Sequence, residues 1–261
     1  MVNIILSTNA HMNTGLQPVY EVLKKHPTVG IELFPNEKDD LFTAELENLA
    51  RTSGRYLTFH GPYFDIEHSA PKGTDEYKYA MECVIKTLQL SKELGIKYFV
   101  FHHNNREIDI DKSDMIRESN KNLDEITNIA NEYGVEILIE NAGVNQRKNA
   151  LFNEDEFIDV CMEKSNPVLI DVGHVHANGW DIERVIVALK DKIQSYHLHN
   201  NDGKHDEHNR IEDGTFDYDY FFELYKKYTP ESDLILEYNY FLGNKVDEIV
   251  EDIKKVESYV K

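Results

Sequence analysis

Residues 196–214 read YHLHNNDGKHDEHNRIEDG, and the stretch joins a buried strand to a long polar loop. An apolar run with the alternation of a β-strand leads into it, so His197 and His199 leave the strand end on the same face. Asp206 and His208 follow in the loop, two residues apart, where both can turn back toward the strand end. Neutral imidazole and carboxylate groups are the usual ligands of zinc, manganese and iron-group ions. The stretch therefore predicts a metal site; the alternative is a solvated acidic loop that is rich in histidine.

Similar apolar runs recur along the whole chain, each with the length and the β-branched or aromatic content of a buried strand. The eight runs are residues 3–7, 29–34, 56–60, 98–102, 136–140, 168–171, 194–199 and 234–238. Segments with helical spacing alternate with them: residues 16–25, 41–50, 77–94, 115–133, 154–163, 182–189, 218–228 and 246–260. This alternation, without a linker, predicts an α/β fold: a single (β/α)8 TIM barrel that occupies residues 1–261 as one domain. The alternative, an open doubly wound sheet, normally carries a glycine-rich phosphate loop after its first strand, and STNAHMNTG does not match that pattern.

The longer loops after predicted strands all fall on one side of such a barrel, which is the side where this architecture builds active sites. These loops are residues 61–74, 103–114, 141–153 and 200–217.

The composition limits the partners that we expect. The chain has 261 residues and a formal net charge of −20, from 48 acidic against 28 basic residues, and no run of Lys or Arg interrupts the acidic surface. Nucleic acid and anionic membranes are therefore not expected partners. Two cysteines, Cys83 and Cys161, are too few for a disulfide framework, which suits a reducing compartment. Without a leader segment or an apolar run of ~20 residues, we expect a soluble, cytoplasmic protein.

Six successive predicted strands end in a potential metal ligand. These residues are His60, His102, Glu140, Asp171, the pair His197 and His199, and Glu237. A charged group directly after an apolar run is costly to desolvate unless something pairs with it, and basic residues are almost absent from these strand ends. Divalent metal is the expected source of positive charge.

Six motifs in this order, FHGPYFD, FHHN, LIEN, LIDVGH, HLHNNDGKHDEHNRIEDG and LILEY, resemble the xylose-isomerase-like barrel superfamily. This superfamily contains sugar-phosphate isomerases and epimerases together with class II apurinic/apyrimidinic endonucleases. The resemblance covers roughly residues 56–240, and the ordered set is more specific than any one motif.

The epimerase branch implies a site for one metal ion whose two glutamates also exchange a proton of the substrate. Its ligands here would be Glu140, Asp171, His199 and Glu237, with Glu140 and Glu237 as the catalytic pair. His197 is the alternative ligand from the seventh strand; His199 is preferred because its distance to residues 201–204 fits the family spacing better.

The endonuclease branch implies a larger set around three zinc ions. That set would be His60, His102, Glu140, Asp171, His174, His199, Asp206, His208 and Glu237. The resemblance also suggests contacts between the substrate and Tyr63, Glu32, His197, Lys204 and Arg210, the last two as candidates to hold a phosphate or carboxylate.

These observations favour a metal-dependent sugar or sugar-phosphate isomerase or epimerase with a carbohydrate substrate, which passes through an enediolate. The alternative is a multinuclear phosphoesterase of the endonuclease type. The acidic chain and the loop PNEKDDLF argue against DNA as its substrate, and Glu212-Asp213-Gly214 replaces the usual Gly-Glu-Gly. A non-catalytic metal-binding barrel is a third possibility. One to three ions of zinc, manganese, cobalt or magnesium are expected, while the oligomeric state is not specified.

Overall fold

The computed structural model describes residues 2–108 and 111–261, and its centre is a closed parallel barrel of eight strands in sequence order. The strands are β1 Ile4–Ser7, β2 Gly30–Leu33, β3 Leu57–His60, β4 Tyr98–Phe101, β5 Glu136–Glu140, β6 Val168–Asp171, β7 Ile193–Leu198 and β8 Asp233–Leu236. The first and last strands pair in parallel and close the barrel. The predicted (β/α)8 fold is confirmed.

The helices surround the barrel. They are α1 Gln17–Lys25, α2 Asp40–Ser53, α3 Asp75–Leu94, α4 Lys112–Tyr133, α5 Glu154–Glu163, α6 Val172–Ala177, α7 Ile182–Leu189, α8 Tyr218–Tyr228 and α9 Val246–Val260. The short α6 was not predicted; it follows β6 without a loop because Asp171 Oδ1 accepts a hydrogen bond from the main chain of His174. Residues 109 and 110, within the predicted loop 103–114, lie outside the described residues. In the described part of the chain, no helix has the length and apolar character needed to cross a membrane.

The helices end where local chemistry requires it. Gly95 and Gly134 end α3 and α4 in the left-handed conformation, with φ of +70° and +72°, which residues with a Cβ adopt at a cost. Asn153 and Glu156 form a capping box at the start of α5, in which each side chain accepts a hydrogen bond from the other's main chain. The two glycines end their helices just before β4 and β5, and the capping box ends the loop that joins β5 to α5.

The core has two main parts, beside a small cluster of Ile66, Ala80 and Cys83. Most apolar side chains pack between the outer face of the sheet and the helices. A smaller layer fills the barrel interior and consists of Ile5, Val100, Leu138, Leu169 and Ile235. Because side chains alternate across a strand, residues two positions further along also point inward. The interior layer is therefore followed, toward the carboxyl ends of the strands, by a second layer of polar side chains.

Candidate metal centre

The polar layer lies directly above the interior apolar layer. His102, Glu140, Asp171 and Glu237 each follow an interior apolar residue by two positions, and His197 lies at the same level because it pairs in register with Asp171. The members of this layer are buried: Glu32, His60, His102, Glu140, Asp171, His197 and Glu237. Three groups of potential ligands can be distinguished within and above it, and a fourth set, Glu140, Asp171 and His174, joins the first group to the third.

The first group is His60, His102 and Glu140. His102 Nε2 lies 2.8 Å from Glu140 Oε2, and His60 Nε2 lies 4.0 Å from the same oxygen. The other ring nitrogens are held by Gly61 O at 2.8 Å and by Asn105 Oδ1 at 2.9 Å, which fixes the two Nε2 atoms toward Glu140. Burial lowers the pKa of His102, but the charge and hydrogen bond of Glu140 outweigh it and the pKa is raised.

The second group surrounds His197. Its Nδ1 lies 3.2 Å from Glu237 Oε2, 3.6 Å from Glu140 Oε1 and 3.8 Å from Asp171 Oδ2. Its Nε2 lies 3.1 Å from Glu32 Oε2. Burial opposes protonation of His197, yet the charges of Glu237, Glu32 and Glu140 raise its pKa well above the usual value.

The geometry places His197, and not the preferred His199, among the three carboxylates of this group. His199 directly follows β7, two residues beyond His197 and so above the layer, where its Nε2 contacts Asp171 Oδ1 at 3.0 Å. Its ring stacks on that of His208 with 3.7 Å between centroids, which assigns it to the next group. The position of His197 within the polar layer gives it the three carboxylate neighbours.

The third group is His174, His199, Asp206 and His208. Asp206 Oδ1 lies 3.0 Å from His208 Nε2 and 3.4 Å from His174 Nε2. The loop that carries Asp206 and His208 folds back through a two-way main-chain pairing of Asn200 with Asn209. Burial raises the pKa of Asp206, but His208 and His174 hold it well below the usual value.

Several buried atoms at the centre make no hydrogen bond within the described part of the chain: His174 Nδ1, His197 Nδ1 and Asp206 Oδ1. Leaving such atoms unsatisfied costs free energy, and each is a good donor for a divalent ion. Potential ligand atoms lie within 4.8 Å of one another in the first and third groups and among Glu32, His197 and Glu237 of the second. The residues therefore fit divalent metal, and the mixture of imidazole and carboxylate suits zinc, manganese or cobalt.

A cavity of about 410 Å³ opens above the centre. Its wall combines side chains of all three groups with the aromatic residues Phe34, Tyr63, Phe64 and Tyr240 and with several asparagines. Of the expected substrate contacts, Tyr63 lines this cavity, whereas Glu32 and His197 lie buried in the layer beneath it.

Lys204 and Arg210 do not line the cavity, contrary to their expected part in binding an anion. Lys204 is exposed at the loop surface. The Arg210 guanidinium turns to α9, where Nε lies 3.0 Å from Asp252 Oδ2 and Nη2 lies 2.8 Å from Asp252 Oδ1. Arg210 therefore binds an acidic residue of α9 that is 42 residues away in the sequence, and not a group in the cavity.

Arg147 and Asn9 are among the polar residues of the cavity that were not singled out from the sequence. Arg147 lies in the β5–α5 loop and pairs with Asp206, with 2.9 Å between Nη1 and Oδ2. Asn9 donates a hydrogen bond to Glu237 Oε1 at 3.4 Å. Neither residue belongs to a motif, so the spacing of residues in the sequence could not predict that they line the site.

The barrel and its buried layer of histidines and carboxylates define a class of protein, and the comparison with known families agrees with it. The profile of the xylose isomerase-like TIM barrel family matches residues 20–259, so the chain belongs to that family. A curated relative is an uncharacterized protein of Methanocaldococcus jannaschii, 26% identical over 225 residues that make up 86% of each chain.

Solved structures share the fold over nearly the whole length. A D-tagatose 3-epimerase-like protein is 18% identical with a TM-score of 0.77, and 98% of each chain is covered. An IOLI protein with a bound zinc atom is 20% identical with a TM-score of 0.77, covering 99% of this chain and 98% of the other. An AP endonuclease, family 2, from Brucella melitensis is 13% identical with a TM-score of 0.73, covering 92% and 93%.

Proposed function

We propose that this protein is a multinuclear, divalent-metal-dependent phosphoesterase that acts on a small phosphate ester. The observation that carries the proposal is the position of Glu140. Its Oε2 faces His102 and His60, while its Oε1 lies 3.5 Å from His174 Nδ1 and 3.6 Å from His197 Nδ1. A carboxylate whose two oxygens face different imidazole groups would contribute one oxygen to each of two ion sites.

The same geometry weakens the isomerase or epimerase hypothesis. That reaction needs a glutamate oxygen free to remove a proton from a carbon atom of the substrate. Both oxygens of Glu140 are instead directed at histidines. The first and third groups also have no assigned task in a one-ion proton transfer, although they contain most of the buried histidines of the centre.

In the proposed reaction, most residues of the centre would hold metal ions and one glutamate would act on the attacking water. His60, His102, Glu140, Asp171 and His197 would hold two ions at the floor of the cavity, and His174, Asp206 and His208 would hold a further ion beside its wall. When bound, such ions supply Lewis acidity that polarises a phosphoryl oxygen and lowers the pKa of water. Glu237, beside His197 and Asn9, would orient the attacking water or accept its proton.

The size and charge of the site favour a small substrate. A cavity of about 410 Å³ accommodates a sugar phosphate or nucleotide-sized ester. The net charge of −20 opposes the approach of a long polyanion such as DNA, while a small phosphoester carries too little charge to be excluded.

A one-ion epimerase is the second candidate, and the surroundings of His197 favour it. Three carboxylates lie within 3.8 Å of His197 Nδ1, which would make a complete four-residue site of Glu140, Asp171, His197 and Glu237. An epimerase-like protein is also among the structural neighbours. In this case the substrate would be a ketose or ketose phosphate.

The metal content per chain separates the two candidates. We would purify the protein without chelator and measure bound metal for the wild type and for His102→Ala, His208→Ala and His205→Ala. His205 is the matched control, because it lies in the same loop but pairs with Asp202 at 2.7 Å and belongs to none of the three groups.

The phosphoesterase requires two or three ions per chain and the loss of about one ion in His102→Ala and in His208→Ala, but not in the control. One ion that survives both substitutions would overturn the proposal in favour of the epimerase. Hydrolysis of p-nitrophenyl phosphate and bis-p-nitrophenyl phosphate then tests the first function, and exchange of solvent deuterium into ketoses tests the second.

A further inference from the structure

The wall of the cavity carries a cation, Arg147, that is not itself a potential metal ligand. Within residues 2–108 and 111–261, Arg147 is the one lysine or arginine that lines the cavity. It lies beside a centre rich in buried carboxylates, in a chain with a net charge of −20. Arg147 is therefore the one permanently positively charged side chain of the described residues that can meet an anion in this cavity.

The loop around Arg147 holds it in a defined position. Residues Asn145–Arg147 form one turn of 3-10 helix, which Lys148 ends with a φ of +55°. The main-chain N–H of Asn145 donates to Asn178 Oδ1 at 2.8 Å, so the turn is attached to the segment after α6. On the other side, Asn149 Oδ1 accepts a hydrogen bond from Val144 N at 2.9 Å. These hydrogen bonds hold the loop that carries Arg147 in a defined conformation.

The guanidinium makes two contacts with Asp206. Nη1 lies 2.9 Å from Oδ2, and Nη2 donates to the main-chain oxygen at 3.0 Å. Arginine has five N–H donors, and the side chain remains 49% exposed, so donors stay accessible from the cavity. Asp206 Oδ1, which faces His174 and His208, takes no part in these contacts.

The cavity also continues beyond Arg147. A shallower depression of about 430 Å³ is lined by Tyr63, Asn105, Glu107, Gln146, Arg147 and Asn149. Tyr63, Asn105, Arg147 and Asn149 belong to both spaces. Arg147 therefore lies at the junction between the metal groups and a depression whose lining is mostly amide and hydroxyl.

We propose that Arg147 is a substrate-binding residue that grips the phosphate group of the substrate, while the hydroxyl-bearing alcohol part of the ester occupies the depression beyond it. The planar fork of a guanidinium matches two phosphate oxygens, and its bond to Asp206 orients the fork beside the third metal group. The proposal rests on the proposed function and specifies its substrate as a phosphate ester of a polyhydroxyl compound.

The test measures binding of inorganic phosphate to the metal-loaded protein by titration calorimetry, together with the metal content. We expect Arg147→Ala to keep all its metal and to bind phosphate about tenfold more weakly, because charge-assisted hydrogen bonds are lost. Arg147→Lys should recover part of the affinity. Lys148→Ala is the matched control, since this neighbouring cation does not line the cavity and should leave the affinity unchanged.

A merely structural role for Arg147 gives a different pattern. Loss of metal from Arg147→Ala, or an affinity for phosphate within twofold of the wild type, overturns the inference. Because the titration needs no turnover, the two proposals fail separately. Weakened phosphate binding without hydrolysis of any phosphoester supports the role of Arg147 and rejects the phosphoesterase, whereas hydrolysis with unchanged KM in Arg147→Ala rejects the role of Arg147 alone.

Discussion

Replacement of Arg210 by alanine is expected to destabilise the protein because it leaves a buried carboxylate without its cation. Arg210 makes a two-point contact with Asp252 of α9, and Asp252 is 1% exposed. The one other side-chain donor to this carboxylate among the described residues is the Tyr238 hydroxyl, at 2.9 Å. The substitution therefore removes most of the stabilisation of a negative charge in the interior.

The magnitude follows from the burial of the pair. Removal of one partner of a buried ion pair costs ~3–5 kcal/mol. The Arg210 side chain is 16% exposed and Tyr238 stays in place, so we expect the lower end of that range, about 3 kcal/mol. For a chain of this length that corresponds to a fall in Tm of about 6–12 °C.

The loss should depend on pH. Burial raises the pKa of Asp252 while Arg210 opposes the rise, so the pKa in the variant is higher still. A carboxyl group whose folded pKa exceeds the unfolded value favours the folded state below the unfolded pKa and loses this contribution as pH rises through the folded pKa. The full loss is therefore expected at neutral pH, and it should shrink as the solution is acidified.

The measurement is urea unfolding of the metal-loaded protein, followed by circular dichroism. Lys255→Ala is the matched control, because Lys255 joins the same helix to Glu212 of the same loop through an exposed pair and should cost at most about 1 kcal/mol. Asp252→Asn in the Arg210→Ala background should recover much of the loss. A cost below about 1 kcal/mol for Arg210→Ala, or no recovery in the double variant, would refute the reasoning.

Four further outcomes are expected. Gly173→Ala would place a Cβ 2.0 Å from the ring of His199, so we expect the third group to lose its ion. Gly179→Ala is the control: its Cβ would have no atom within 4 Å, so it should keep all metal and cost only about 1–2 kcal/mol because of its left-handed backbone. Metal analysis and unfolding measurements distinguish the two variants. Burial lowers the pKa of His11 to about 4, so the unfolded state binds the extra proton between pH 6.5 and 4 and stability falls across that window as pH drops; His11→Phe should flatten this part of the stability profile. Burial raises the pKa of the Cys161 thiol to about 12, so a thiol reagent at pH 8 should label it only as fast as the protein unfolds. Removal of metal by a chelator should lower the free energy of unfolding by about 4 kcal/mol for each ion removed, relative to protein at free metal a thousandfold above Kd, measured by calorimetry.

The barrel could be predicted because its signals are local. Each strand is an apolar run bounded by turn residues, and glycines such as Gly95 and Gly134 mark helix ends before strands. The convergence of distant ligands then follows from the fold, since parallel strands in a closed barrel present their carboxyl ends together. This is why the three groups contain residues that the sequence pointed to.

The positions of other residues depended on information that is not local. His197 lies in β7 and His199 directly follows it on the same face, and only the register with β6 shows that His197 lies level with Asp171. Arg210 was expected near the substrate, but its partner lies 42 residues further along the chain. Arg147 was not singled out, because its loop has no motif and its neighbour Asp206 is 59 residues away.

Closure of the barrel by β1 and β8 has a consequence for biosynthesis. The first group of ligands is encoded between residues 60 and 140, whereas Glu237 follows the last strand. During synthesis, the histidines and carboxylates of the first group leave the ribosome before β8, which closes the barrel by pairing with β1. In the proposed metalloenzyme, an ion held by the early residues would lack Glu237 as a neighbour until β8 docks.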